Sequence, residues 1–415
     1  MAEETENLVK EKFDFGLSDE DLLAQITLWL QESQTLVDEL LTTIVKNLEY
    51  YKGNQTELEK IRGRQSRAVE NRIFMGVEHV VPVVTSNIPQ FVAAPARDDE
   101  KSRLLANKLQ NVLGWHYDRL SVRALTERFA RDIILKRAGL FKVFWNQLED
   151  DWGIYSLDIR KVRIPTLGKN VFDLAFIAEK LELSYNQVAA YFSQAIADDL
   201  LKEIPTEDLE NKKRKTTFTI WEVWTNDFVC WKAGEKILKR EANPYFDWGE
   251  NPSNFFLVPQ KPYILKSLFE TEDMILGTTD LIQQVIPIQD NINITKRQIE
   301  NISRKVANPI LAVDSDVMSE EKAANISNEE GLILYGRDAA NESKIRFHSP
   351  GQVPQYLFQD LQFSRNEFDN IFGFHSTTRG ERSKSPTLGQ AILQRQCDLG
   401  RVDLITRQSE RALSE

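Results

Sequence analysis

The sequence predicts an α+β protein in which helices predominate. Three observations support this class. The first third of the chain repeats apolar residues at helical spacing, the middle contains short stretches rich in strand-forming residues, and the last third returns to long helical patterns. With 415 residues, the chain exceeds the size at which one hydrophobic core usually divides, so we expect two or three lobes.

The N-terminal third is predicted to be mainly helical, with a short extended piece at 90–94 between Pro89 and Pro95. Ser18 and Asp21 form a start signal that resembles a capping box, and Gly53 is typical of a helix end. Pro82 should kink the second helix, and Asp98 to Glu100 place carboxylates where a third helix begins. The predicted helices span about residues 18–53, 69–88, 100–120 and 121–137.

The middle of the chain is predicted to be a mixed α/β lobe. Phe141, Val143 and Trp145 alternate with Lys142, Phe144 and Asn146, as in a strand. Further strands are predicted at 154–164, 171–176, 218–224 and 228–231, with one helix at 184–201. The aromatic and proline-rich connector at 243–263 is too apolar for a free linker and should pack over this lobe.

From Asp280 onward the pattern indicates two long helices separated by a β-type insert. The first helix, about 280–306, has an apolar stripe with polar flanks and a bend at Pro287. Short strands are predicted at 310–313, 332–335 and 344–347, a helical piece at 320–324, and the second long helix at 353–371. A polar loop then leads to Ser385 and Pro386, which start a last helix to about 413. The apolar stripe suits a core or a subunit contact equally well.

The composition argues against several classes of protein. The net charge of −11 lacks the basic footprint of a protein that wraps nucleic acid, although a smooth acidic channel remains compatible with it. Two distant cysteines support neither a disulfide framework nor a zinc site, which favours folding in a reducing cytosol. The acidic N-terminus does not resemble a signal peptide, and no apolar run approaches the ~20 residues of a membrane span.

No catalytic constellation is evident in the sequence. Phosphate-binding loops, dinucleotide-binding glycine motifs, zinc-protease motifs and nucleophile elbows are absent. Three acidic clusters occur at 98–100, 149–151 and 198–199. A magnesium-dependent nuclease uses carboxylates of this kind to bind its metal ions. Helix ends and turns explain such clusters more simply, so we predict that the protein is not an enzyme, with no metal and no cofactor.

The loop at 373–385 is basic in an otherwise acidic protein. Arg379, Arg382 and Lys384 could contact nucleic-acid phosphates, and Arg395 and Arg401 of the last helix could extend that surface. The alternative is an ordinary solvated loop followed by a solvated helix face.

The order of elements from Leu281 to Leu413 resembles that of tailed-bacteriophage portal proteins, the head-to-tail connectors. Several short stretches are also similar in sequence to that family. They are Asn71–Phe74, Val80–Pro82 through Pro89, Pro244–Phe246, Pro287–Asn293 with Arg297–Ile299, and Asn308–Pro309, of which Pro287–Asn293 is the strongest.

The resemblance implies a particular division of the chain. We expect a wing at 1–276, with a helical part at 1–138 and a mixed α/β lobe at 139–276. The remaining expected parts are a stem helix at 277–306, a small α/β clip at 307–349, a second stem helix at 350–372, a tunnel loop at 373–385 and a tunnel helix at 386–415 that leads toward a crown. The crown itself is expected to be absent or truncated.

The resemblance also implies partners and site residues. The chain would form a ring, commonly of twelve subunits, at one capsid vertex of the virion, and would assemble in the host cytoplasm. Double-stranded DNA would pass through the ring during packaging and ejection, and the large terminase, the head–tail adaptor, the major capsid protein and scaffolding protein would bind it. The implied tunnel-loop residues are Arg379, Arg382, Lys384, Thr377, Thr378 and His375. The implied channel-helix residues are Arg395 and Arg401, and the implied clip residues are Arg337, Asp338, Lys344 and Arg346.

Two alternatives compete with this interpretation. Another connector or minor capsid protein would also be acidic and non-enzymatic, but it would lack a central channel of DNA width. A metal-dependent nuclease would need its carboxylates clustered in space.

Overall fold

The computed structural model describes residues 17–55, 65–85, 92–146, 150–202, 216–246, 258–270, 274–307, 310–313, 345–348, 351–373 and 400–414. The chain is a mixed α/β protein, in agreement with the predicted class, and its sheets are antiparallel. It divides into two compact units. Unit 1 comprises Met1–Leu48, Val77–Gln283 and Gly400–Glu415, and unit 2 comprises Glu49–Gly76 and Gln284–Leu399. None of the described helices is both long enough and apolar enough to cross a membrane.

Among the described residues, four helices precede the first strand, as predicted. They are α1 (Asp19–Lys52), α2 (Arg72–Val84), α3 (Glu100–Arg119) and α4 (Val122–Leu135). The Ser18 hydroxyl accepts from the Asp21 backbone N–H at 3.2 Å, and Gly53 follows α1 with a left-handed φ of 90°. Asp99 caps α3 by accepting from the Ser102 N–H at 2.6 Å. Pro82 lies inside α2.

Unit 1 contains two antiparallel sheets. The three-stranded sheet has the order β2–β1–β8, with β1 (Ala138–Asn146), β2 (Asp151–Ser156) and β8 (Tyr263–Ser267). The five-stranded sheet has the order β3–β4–β5–β6–β7. Its strands are Val162–Arg163, Ile177–Ser184, Thr217–Trp224, Phe228–Ala233 and Lys236–Ala242.

Several predictions for this lobe were wrong. The strands β4, β7 and β8 were not predicted, and β8 begins at Tyr263, where the predicted connector ends. Val171–Asp173 is a 3₁₀ turn rather than a strand, because the Asp173 carboxylate turns back to the Asn170 backbone N–H at 3.2 Å. The predicted helix at 184–201 is two helices, α5 (Tyr185–Tyr191) and α6 (Gln194–Lys202), and the Ser193 hydroxyl caps α6.

Strand β1 is covered on both faces. Ala138 and Leu140 belong to a hydrophobic cluster that includes Leu40 of α1, whereas Phe141 stacks on Phe129 of α4 with ring centroids 4.7 Å apart. Side chains of successive strand residues point to opposite faces, so α1 and α4 lie on opposite faces of the three-stranded sheet. Gly139 is required on the α4 face, because a Cβ there would lie 2.5 Å from the Phe129 ring.

A buried ionic cluster joins the two sheets of unit 1. The ammonium of Lys142 on β1 contacts the carboxylates of Glu179 at 2.6 Å and Glu222 at 2.7 Å. The hydroxyls of Tyr155 and Tyr263 also donate to Glu179, each at 3.1 Å. Burial acts to lower the pKa of Lys142, but the two carboxylates outweigh it and raise that pKa well above its usual value. Lys142 therefore stays charged inside the protein, on the strand that the alternation had predicted.

The predicted helix–strand–helix order after Asp280 is confirmed where the structure describes the chain. Helix α7 spans Leu281–Ala307 with Pro287 inside it, and α8 spans Gln355–Phe372. Between them, β9 (Ile310–Val313) pairs antiparallel with β10 (Ile345–His348). Helix α9 spans Gly400–Ser414. The strand predicted at 332–335, the helical piece at 320–324 and the start of the last helix lie outside the described residues.

Candidate functional site: a strap across two long helices

Helix α7 carries a row of polar side chains on one face. Gln289, Asn293 and Arg297 follow each other at four-residue intervals, and Glu300 and Asn301 continue the row. Gln289 and Asn293 are both fully buried, which is unusual for amide side chains. Buried amides need hydrogen-bond partners, so this face must be covered by polar groups.

The partner of this row is an extended segment at residues 65–71, here called the strap. The strap is neither helix nor strand, so its backbone groups need partners from elsewhere. Side chains of α7 supply them through four hydrogen bonds: Ser66 N to Asn301 Oδ1 at 2.7 Å, Arg297 Nε to Ala68 O at 3.2 Å, Glu70 N to Asn293 Oδ1 at 2.9 Å, and Gln289 Nε2 to Glu70 O at 2.7 Å. Side chains of α7 thus bind the strap along about three helical turns.

The Glu70 carboxylate links the strap to both long helices. Arg365 of α8 forms a bidentate ion pair with it. Its Nε donates to Oε1 at 2.8 Å, and a terminal guanidinium nitrogen donates to Oε2 at 2.6 Å. Lys296 of α7 lies 3.2 Å from the same carboxylate. Arg72, just beyond the strap, lies 3.4 Å from it. One anion therefore holds three cations that arise from three separate parts of the chain.

Further polar contacts fix α7 against α8. The Asn291 amide donates to the Ser364 hydroxyl at 2.9 Å, and the Thr295 hydroxyl donates to Asp360 at 3.1 Å. Arg72 reaches α8 as well, because it donates to Asp369 at 2.5 Å. These bonds make α7, α8 and the strap one polar assembly within unit 2.

The electrostatics of Glu70 predict a dependence of stability on pH. Burial acts to raise its pKa, but Arg365 and Lys296 outweigh burial and lower that pKa from 4.5 to about 2. A folded-state pKa below the unfolded value adds stability above pH 4.5, and that stability is lost as the pH falls toward 2. Urea unfolding should therefore show the wild type losing its advantage over Glu70→Gln as the pH falls from 5 to 3. A constant difference between the two over that range would contradict this assignment.

The acidic clusters of the sequence do not form a metal centre in the described part of the chain. Asp99 caps a helix, Asp151 pairs with Arg119 at 2.7 Å, Asp198 accepts from the Tyr185 hydroxyl at 2.6 Å, and Asp199 pairs with Lys236 at 2.8 Å. No group of three or more potential metal ligands occurs among the residues that the structure describes. Asp99 lies at a helix end as predicted, whereas Asp151 begins strand β2, and Asp198 and Asp199 lie within α6. Each of the four carboxylates has a hydrogen-bond or ion-pair partner in the protein.

Most of the predicted site residues lie outside the described residues. These are the tunnel-loop residues Arg379, Arg382, Lys384, Thr377, Thr378 and His375, with Arg395, Arg337, Asp338 and Lys344. Arg346 pairs with Ala312 in the β9–β10 ladder, and Arg401 lies in the first turn of α9, but the structure describes neither side chain. Their roles therefore stay predictions.

Sequence reasoning missed the residues that the structure brings together here. Glu70 and Arg365 are separated by 295 positions, so no local pattern connects them. The spacing of Gln289, Asn293 and Arg297 was a usable signal, because three polar residues on one helix face can bind an extended segment. Two stretches that carried the family resemblance, Asn71–Phe74 and Pro287–Asn293, do meet: the Arg72 N–H donates to Gln289 Oε1 at 3.1 Å.

Comparison with known protein families indicates what kind of protein contains these two helices. Residues 213–398 match the family model described as phage P22-like portal protein. This match supports a tailed-phage portal protein. It covers somewhat less than half of the chain and includes α7 and α8 with the β9–β10 pair between them. No curated protein matches the chain.

The match has coarse functional consequences. It supports a phage portal role, and the portal family implies a virion component in a ring associated with the capsid. Portal proteins are generally structural and non-enzymatic. The matched segment contains both long helices, whereas the strap that binds them lies outside it.

Proposed function

We propose that this portal protein forms a ring at one capsid vertex and conducts double-stranded DNA during packaging and ejection. The single observation that carries the proposal is the family match, which runs through both long helices and the segment that follows them. In this proposal the wing is 1–276, the stems are 277–306 and 350–372, the clip is 307–349, the tunnel loop is 373–385, and the last helix is 386–415. The strap is then a fastening that holds the two stem helices together.

The acidic net charge of the chain supports a channel that does not bind DNA tightly. A net charge of −11 opposes tight binding of a polyanion along the whole channel. Arg379, Arg382 and Lys384 add a few cations that contact phosphates and retain packaged DNA. The clip residues Arg337, Asp338, Lys344 and Arg346 are proposed to dock the large terminase during packaging and the head–tail adaptor afterwards.

Electron microscopy of the purified chain tests the central claim. We expect rings, commonly with twelve subunits, around an opening wide enough for duplex DNA. A chain that remains monomeric at high concentration would contradict the portal ring. Rings without such an opening would favour another connector or minor capsid protein.

The tunnel loop can be tested separately from ring formation. The triple variant Arg379→Glu, Arg382→Glu, Lys384→Glu should still form rings, because the cations are proposed to contact DNA rather than protein. Nuclease-protected DNA in assembled heads should fall by about an order of magnitude, since each lost phosphate contact weakens binding.

A matched control changes the same charge elsewhere. Lys212→Glu, Lys213→Glu, Lys215→Glu alters a basic segment of the wing by the same six units of charge and should leave DNA retention unchanged. Equal retention in the loop variant and the wild type would remove the loop from the mechanism.

A further inference from the structure

Helix α3 exposes an unusual amount of apolar surface for a helix of a folded unit. Ala106 is its only buried residue. Leu105, Leu109 and Val112 are 58%, 48% and 50% exposed, and they lie on one helix face. Leu104, Leu113 and Trp115 of the same helix are also exposed, at 55%, 45% and 58%. A contiguous apolar surface of this kind marks a site of contact with another molecule.

An aromatic cluster extends this surface onto the β1–β2 hairpin. Arg119 packs over the Trp115 ring at 5.0 Å, pairs with Asp151 at 2.7 Å and donates to the Trp152 carbonyl at 3.3 Å. Trp152 contacts Trp145 edge to face at 5.8 Å, and these two rings are 51% and 44% exposed. Tryptophan and arginine are the residues most enriched in the energetic centres of protein interfaces. Together with the exposed α3 side chains, Arg119 and the two tryptophans form one candidate contact surface.

Helix α3 is also basic, which indicates an acidic partner. It carries four basic and two acidic side chains, whereas the whole chain has a net charge of −11. Lys101 and Lys108 are exposed and lie seven residues apart on the face that contains Leu105. Basic and apolar side chains therefore alternate along about two turns of this helix face.

Helix α1 presents the complementary pattern. It carries seven acidic and two basic side chains. Leu28, Glu32 and Glu39 are exposed on its outer face, and the two glutamates are again seven residues apart. Seven residues of helix rise about 10.5 Å, so the lysine pair of α3 and the glutamate pair of α1 have the same spacing.

The two faces belong to different helices of unit 1. Helices α1 and α4 cover opposite faces of the three-stranded sheet, and α3 contacts α4. A head-to-tail ring needs two different, complementary patches on each subunit, so that each copy binds the next. The basic face of α3 and the acidic face of α1 meet this requirement.

We infer that the basic apolar face of α3 binds the acidic outer face of α1 on a second copy of this chain. The contact includes Lys101 and Lys108 against Glu32 and Glu39, with Leu105 and Leu109 packed beside Leu28. This inference rests on the proposed ring, and it names the contact that closes the ring at the wing.

Charge reversal on either face tests the contact. The variant Lys101→Glu, Lys108→Glu and the variant Glu32→Lys, Glu39→Lys should each fold, because all four side chains are exposed. In native mass spectrometry each variant alone should show at least about tenfold less ring than the wild type, since like charges would face each other at every contact. An equal mixture of the two should recover rings with alternating subunits.

The outcomes separate this inference from the proposed function. Lys212→Glu, Lys213→Glu changes the same charge on another segment and should leave rings intact. Wild-type rings together with intact rings of both face variants would overturn the α3–α1 contact and leave the portal ring standing. Failure of the mixture to recover rings would also overturn the pairing. A wild-type chain without rings would overturn the proposed function, and the contact with it.

Discussion

Replacement of Lys142 by methionine should destabilise unit 1 by about 3–5 kcal/mol. The side chains of Lys142, Glu179 and Glu222 are only 5%, 3% and 9% exposed. Without the ammonium, two carboxylates would face each other in a site that water does not reach. The cost of an uncompensated buried charge is large, and it exceeds the loss of packing that methionine itself introduces.

Tryptophan fluorescence during urea unfolding measures this effect, because all eight tryptophans lie in unit 1. Lys180→Met is a matched control. Lys180 lies one residue beyond Glu179 on β4, is 37% exposed and pairs only loosely with Glu182 at 3.3 Å. Its replacement should cost less than about 1 kcal/mol.

A compensated variant separates charge from packing. Lys142→Met, Glu179→Gln, Glu222→Gln removes the cation and both anions, so it should recover much of the stability that Lys142→Met loses. If Lys142→Met unfolds at the same urea concentration as the wild type, the ionic cluster does not stabilise the lobe.

Replacement of Glu70 by alanine should loosen the strap from both long helices. It leaves Arg365, Lys296 and Arg72 without their common anion, and it should cost about 2–4 kcal/mol. The loss falls on unit 2, so hydrogen exchange in α7 and α8 should accelerate while exchange in the unit 1 sheets stays unchanged.

The control for Glu70→Ala removes an exposed acidic side chain from α8, one of the two helices that the strap binds. Glu367 lies on the exposed face of α8, and Glu367→Ala should change stability by less than about 0.5 kcal/mol. Unchanged exchange in α8 of the Glu70 variant would show that the strap does not fasten this helix. Loss of the fastening should also reduce the fraction of chains in rings, if α7 and α8 are the stems.

The parts of this fold that the sequence predicted are those with strong local signals. Helices α7 and α8 combine long apolar periodicity with clear ends, and α3 begins at an acidic cap, so all three were recognised. The strands β4 and β7 were missed because their lysines and glutamates hide the alternation. A polar strand of this kind is stabilised by its neighbours in the sheet, which the local sequence does not contain.

The strap and the Lys142 cluster depend on residues that are far apart in the chain. The strap has no periodicity, and its role becomes visible only when Gln289 and Asn293 are placed beside it. Lys142 was predicted to lie on a strand, but its burial follows from the way the two sheets come together. Neither arrangement could be inferred from spacing alone.

The strap has a consequence for synthesis of the protein on the ribosome. Glu70 is made 295 residues before its partner Arg365. At about 5–20 residues per second, translation takes roughly 15–60 s to cover that interval. For most of it the strap lacks the amides of α7, and for all of it the strap lacks the guanidinium of α8. Unit 2 therefore completes its fold late, after most of unit 1 has emerged, and the nascent chain passes through a stage in which the segment around Glu70 awaits its binding partners.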